Sequence, residues 1–150
     1  MCLAKGIAGG IPMGATLVKS DILSVMKKGE HSSTFGGNPV SCAAGTATIQ
    51  ALTQDNLLKN AEIMGEKLFQ GLTELKSKHS IIREVRGKGL MIGVELKFEV
   101  KDILLEGIKN GLLLLYSGRN ILRFLPPLVI SDEDVTNTLQ ILDKLLTNEE

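Results

Sequence analysis

The stretch Leu3-Ala4-Lys5-Gly6-Ile7-Ala8-Gly9-Gly10-Ile11-Pro12-Met13-Gly14-Ala15 sets a single lysine between a short apolar run and a glycine-rich loop. No side chain bulkier than Ile or Met follows Lys5 over the next ten residues. Backbone of that kind lets a flat ligand come close. A lysine desolvated beside it has a lowered pKa and a free amine able to attack a carbonyl. Taken alone, the stretch also suits a surface lysine ahead of a loop.

A second motif begins 26 residues later, at His31-Ser32-Ser33-Thr34-Phe35-Gly36-Gly37-Asn38-Pro39. Three consecutive hydroxyls precede a Gly-Gly-Asn-Pro turn that should open a helix. Hydroxyls and backbone N–H groups at such a junction suit a phosphate, and equally an N-cap and a turn. A third motif, Ile121-Leu122-Arg123-Phe124-Leu125-Pro126-Pro127-Leu128, carries an arginine three residues before a Pro-Pro pair. A guanidinium fork grips a carboxylate bidentately and stays charged at any working pH. Arg86-Gly87-Lys88-Gly89-Leu90-Met91-Ile92-Gly93-Val94-Glu95-Leu96 lies between them and reads as a structural strand segment.

Together these motifs resemble the class III, pyridoxal-phosphate-dependent aminotransferases, and within them most closely the acetylornithine aminotransferases. That resemblance implies an α/β fold of the type I pyridoxal-phosphate transferases. Residues 1–53 would be the C-terminal part of the large cofactor-binding domain, and residues 54–150 the small C-terminal α/β domain. It implies pyridoxal 5'-phosphate as cofactor, bonded to Lys5, whose freed amine then moves a proton as general base and acid. By the same resemblance Thr34 binds the cofactor phosphate across a homodimer interface, Ser33 lies beside the substrate, and Arg123 receives a substrate carboxylate. The implied reaction moves an ω-amino group from N-acetylornithine, or a related acylated lysine or aminoadipate-semialdehyde intermediate, to 2-oxoglutarate, in arginine or lysine biosynthesis. Ornithine and 4-aminobutyrate transaminases share the lysine and the arginine and stay open as alternatives.

The chain has 150 residues, enough for one ordinary core, with 43% apolar and 23% charged side chains. Seventeen basic and seventeen acidic residues cancel, so neither nucleic acid nor an anionic membrane is indicated as a partner. No apolar run approaches the ~18 residues of a membrane span. Cys2 and Cys42 lack metal-ligand spacing and read as free thiols of a reducing cytoplasm. No metal site is expected. Eight of the sixteen glycines fall in the first fifty residues, against only six of the thirty-four charges, which places a domain boundary near Thr53 to Asp55.

In the resembling family the lysine comes past the midpoint of a much longer chain, so the sequence reads as the C-terminal portion of such an enzyme. On that expectation the isolated chain is inactive, and a non-catalytic remnant is the competing reading. A nucleotide-binding module fares worse. The Gly6 to Gly14 run lacks a Gly-Lys-Ser/Thr ending, and Gly87, Gly89 and Gly93 are spaced one residue too long for the dinucleotide fingerprint.

The patterning predicts the tail of a strand at Cys2 to Lys5 and another short strand at Ala15 to Lys19, then a Ser20-capped helix over Asp21 to Lys28. A loop follows to Asn38, then a small-residue helix from Pro39. Leu57, Ala61, Met64, Leu68, Leu72 and Leu75 form one stripe of a helix from Asp55 to Lys78. Strands are expected at Ile81 to Val85 and Leu90 to Leu96, and a helix at Asp102 to Lys109. A strand pair at Leu112 to Tyr116 and Asn120 to Phe124 precedes a final Ser131-capped helix with a stripe at Val135, Leu139, Leu142 and Leu146.

Overall fold

The computed structural model describes residues 1–27 and 29–149. The chain divides into two compact units, Met1–Asn56 and Leu57–Glu150.

In the first unit β1 (Cys2–Leu3) pairs antiparallel with β2 (Ala15–Thr16). The loop they enclose opens with a 3₁₀ turn over Lys5–Ala8. α1 (Ser20–Leu23) is much shorter than the sequence suggests. Ser20 is its first residue rather than its cap, and the Ser24 hydroxyl donates to the Asp21 carbonyl at 2.6 Å, a local bond that competes with the helix ladder. Ile22, Leu23, Val25 and Met26 are all exposed, so no packing extends the helix. Lys28, the expected end of that helix, lies outside the described residues.

α2 (Pro39–Gln54) starts as expected, with Pro39 at its first position and the Asn38 side chain accepting from the Ser41 N–H. Its small residues let it lie close to the glycine-rich loop. A Cβ on Gly45 would sit 2.8 Å from Met13 Sδ, and one on Gly9 3.2 Å from Thr48 Oγ1. The Ser41 hydroxyl donates to the Pro12 carbonyl at 3.3 Å.

The second unit contains α3 (Leu57–Lys78), β3 (Ile82–Lys88), β4 (Met91–Leu96), α4 (Lys101–Lys109), β5 (Leu115–Ser117), β6 (Ile121–Phe124) and α5 (Asp132–Thr147). α3 begins two residues later than expected, because the Asp55 N–H closes α2 on Ala51 and Asn56 turns the chain with φ +56°. The four strands form an antiparallel sheet in the order β3-β4-β6-β5, so β3 and β5 are its edges.

One face of the sheet carries Ile92, Val94, Leu96, Leu122 and Phe124 into a core shared with Leu68, Leu72 and Leu75 of α3 and Val135, Leu142 and Leu146 of α5. Both predicted helix stripes therefore point where amphipathic periodicity sends them. α5 begins with a capping box, Ser131 and Asp134 bonding each other's backbone. The opposite face of the sheet carries Met91, Gly93 and Glu95 of β4 beside Ile121 and Arg123 of β6, since side chains alternate along a strand.

In this unit two strand boundaries differ from expectation by three residues. β3 continues through Gly87 to Lys88, because Gly87 pairs directly with Ile92. A Cβ there would lie 2.3 Å from the Met91 carbonyl oxygen, so that glycine serves pairing rather than ending the strand. β5 starts three residues late, because the Leu112 N–H returns to the Gly107 carbonyl at 2.8 Å and closes α4. Among the described residues no helix is long and apolar enough to cross a membrane.

Candidate active site

Lys5 occupies a costly backbone position. Its φ is +60°, in the left-handed region where a non-glycine L-residue costs about 1–2 kcal/mol. The residue follows β1 directly and opens the 3₁₀ turn, which ends at Gly9 with φ +59°. The side chain is exposed, as in the surface-lysine alternative and not as a desolvated amine. Its amine makes no hydrogen bond or ion pair with any described residue. A Cβ built on Gly6 or Gly10 would meet nothing within 4 Å, so the space over the loop backbone beside Lys5 is open to a flat group.

Ser33 and Thr34 lie in the exposed turn that leads into α2. The Gly36 N–H donates to the Ser33 carbonyl at 3.2 Å and the Asn38 N–H to the Phe35 carbonyl at 3.3 Å. Gly37 completes the turn with φ +70°. The Thr34 hydroxyl has no partner among the described residues. α2 ties this turn to the lysine loop through the Ser41 to Pro12 bond and the Gly45 to Met13 contact. The first two motifs thus share one packed unit.

Arg123 sits on β6 in the second unit, half-buried, opposite Gly93 on one side and Leu115 on the other. The chain's other arginines each pair with a carboxylate. Arg83 reaches Glu95, Arg86 bridges Glu84 and Glu95, and Arg119 faces Glu99. Arg123 alone has no carboxylate partner among the described residues. Its Nη2 contacts only the Met91 thioether, at 3.9 Å, a weak acceptor that leaves the guanidinium available to an incoming anion. Arg86 is different. Its bond to Glu95, then its attraction to Glu84, raise it above the ordinary guanidinium range, and the Arg86 bond holds Glu95 below the ordinary carboxylate range.

Sequence reasoning passed over Met91 and Gly93 as ordinary strand residues. Their relation to Arg123 depends on the β4–β6 register, which no local pattern encodes. The described residues contain no cluster of His, Cys, Asp and Glu able to hold a metal.

The aminotransferase class-III pattern matches residues 1–146. The chain belongs to the class-III aminotransferases. It is 45% identical over 148 residues to the acetylornithine aminotransferase of Caldanaerobacter subterraneus subsp. tengcongensis, covering 98% of this chain and 37% of that protein. Among solved structures it is similar to the acetylornithine aminotransferase of Elizabethkingia anophelis, with TM-score 0.93 at 33% identity, covering 98% of this chain and 40% of that one. The ornithine aminotransferase of Plasmodium yoelii superposes with TM-score 0.93 at 34% identity, covering 99% of this chain and 40% of that one. The chain thus spans about two-fifths of the length of these class-III relatives.

Proposed function

We propose that this chain supplies the lysine-bearing and arginine-bearing parts of a pyridoxal-phosphate-dependent transaminase. The enzyme would move the ω-amino group of N-acetylornithine, or of a related acylated intermediate of lysine synthesis, to 2-oxoglutarate in the cytoplasm. On this reading residues 1–53 close the large cofactor-binding domain and residues 54–150 form the small domain. The observation that carries it is the backbone of Lys5, a non-glycine residue held at φ +60° with a free amine. Strain of that kind, at a residue with no structural partner, marks a functional position.

The residues present suit the cofactor. Lys5 would hold it covalently above the open backbone at Gly6, and Thr34 would donate its hydroxyl to the phosphate across a homodimer interface. When bound, pyridoxal phosphate supplies an electron sink for charge developing on the substrate carbon. Lys5 would then carry a proton from that carbon, its flexible stem letting the freed amine serve as base and afterwards as acid. Ser33 lies one residue from Thr34 and would contact the substrate. Arg123 would bind the carboxylate of 2-oxoglutarate in a bidentate grip. Ornithine as donor is the second reading, supported by the likeness to a solved ornithine aminotransferase.

The test joins these 150 residues to the N-terminal portion of a class-III relative, loads pyridoxal phosphate and reduces with borohydride. Label on the peptide holding Lys5, and turnover of an ω-amino donor with 2-oxoglutarate, are expected. Label on Lys19 or Lys88 would overturn the assignment. A preference for ornithine over its acetylated form would decide for the second reading.

A further inference from the structure

Three glycines on or near β3 and β4 have different reasons to be glycine. At Gly65 a Cβ would fall 2.4 Å from the Gly89 carbonyl carbon, and at Gly87 it would fall 2.3 Å from the Met91 carbonyl oxygen. The fold forbids a side chain at both. Gly93 is unlike them. Its φ is not in the left-handed region, and a Cβ there would meet only the Cγ2 methyl of Ile121 at 3.3 Å and the Arg86 carbonyl oxygen at 3.9 Å. A small shift of Ile121 would accommodate it. Glycine inside a strand weakens it and commonly marks a place where something must approach closely.

What flanks Gly93 says what approaches. Cross-strand pairing sets Arg86, Gly93 and Arg123 in one row over three strands, so the two arginine Cα atoms are about 10 Å apart. Their side chains diverge along β4. Arg86 Nη1 turns to Glu95 at 2.9 Å, while Arg123 Nη2 turns to Met91. Met91 and Glu95 are about 13 Å apart along the strand, and the space over Gly93 lies between them. It forms an open groove of about 430 Å³ lined by both arginines, Met91, Gly93, Ser117 and Ile121. Arg86 is already neutralised by two carboxylates, and Arg123 is not.

We propose that Gly93 is a specificity-determining residue: its bare backbone is the floor on which the carbon chain of a dicarboxylate lies while Arg123 holds one carboxylate. This rests on the reading of Arg123 as the acceptor anchor. A β-carbon or larger group at position 93 raises the floor and crowds the chain in proportion to its size, yet leaves the guanidinium reachable by a carboxylate with no chain to place.

The experiment titrates the 150-residue chain with 2-oxoglutarate and separately with acetate. It follows the Nε–H NMR signals of the four arginines, assigned by Arg→Lys variants. The Arg123 signal should move with both acids in the wild type. Gly93→Val should weaken 2-oxoglutarate by about tenfold or more, through steric overfilling of the groove, with the acetate response unchanged. Gly93→Ala, which fits beside Ile121, should weaken it by about threefold on the same ground and carries the test if the valine variant unfolds. Unchanged 2-oxoglutarate affinity in the variant that folds would overturn the role of Gly93 and leave Arg123 as anchor. Equal loss for both acids would also overturn it, assigning Gly93 to strand geometry. No movement of the wild-type Arg123 signal with either acid would overturn the anchor reading itself, and this inference with it.

Discussion

The ring Nε2 of buried His79 lies 2.6 Å from Oδ1 of Asp143, joining the residue after α3 to the last turns of α5. Lys78 Nζ holds the same carboxylate, at 2.7 Å from one oxygen and 2.6 Å from the other. The bond from Lys78, then that from His79, keep the Asp143 carboxyl below its ordinary value of 3.8.

Because the folded-state pKa of Asp143 is depressed, its contribution is complete above its ordinary carboxylate value. That contribution is lost as pH falls through the lower folded value. Asp143→Asn should therefore unfold more readily than wild type at neutral pH, and its stability should fall less on acidification below about pH 4. Urea midpoints across that range check both halves. Parallel pH curves for the two proteins would remove Asp143 as the acid-sensitive link.

Gly65→Ala should lower stability although alanine is the better helix former. The propensity gain is about 1 kcal/mol, whereas forcing a Cβ against the Gly89 backbone, which has no rotamer to yield, costs about 1–3 kcal/mol. A lower urea midpoint is expected, and an unchanged or higher one would mean that α3 and the β3–β4 turn can separate freely.

Lys5→Gly separates stability from function. Glycine removes a left-handed strain of about 1–2 kcal/mol and adds back chain entropy of about 0.5–1 kcal/mol. The variant should be as stable as wild type or slightly more so. In the completed enzyme it should lose borohydride-fixed cofactor and turnover. A substantial loss of thermal stability instead would show Lys5 to be a structural residue.

Arg123→Lys keeps the charge and loses the fork. Charge-assisted hydrogen bonds contribute roughly 1.5–3 kcal/mol each, so kcat/KM for 2-oxoglutarate in the completed enzyme should fall by about tenfold or more. The half-reaction with the amino donor should suffer less. Pre-steady-state rates of the two half-reactions measure this, and equal loss in both would move Arg123 from acceptor binding to support of the fold.

The second unit was largely legible because its signals are local. The Leu68, Leu72 and Leu75 stripe and the Ser131 capping box each lie within a few turns of chain. α1 was not. The Ser20 cap suggested a longer helix, but the apolar residues that follow are exposed, and a helix that short needs packing to persist. The candidate site divides the same way. Lys5, Ser33, Thr34 and Arg123 announce themselves through neighbouring motif residues. The Met91 contact and the Gly93 floor arise from strand register, and the His79 to Asp143 bond joins residues 64 positions apart.

The sheet's long edge, β3, presents Arg83, Glu84, Arg86 and Lys88 within seven residues. Charged side chains along an edge strand discourage another chain from adding to it. The ion pairs of Arg83 and Arg86 with Glu95 therefore do more than hold β3 on β4: they place desolvation-averse groups where a foreign strand would dock. Replacing that charged row with valine would keep the sheet's pairing and turn its rim into a nucleus for fibrils.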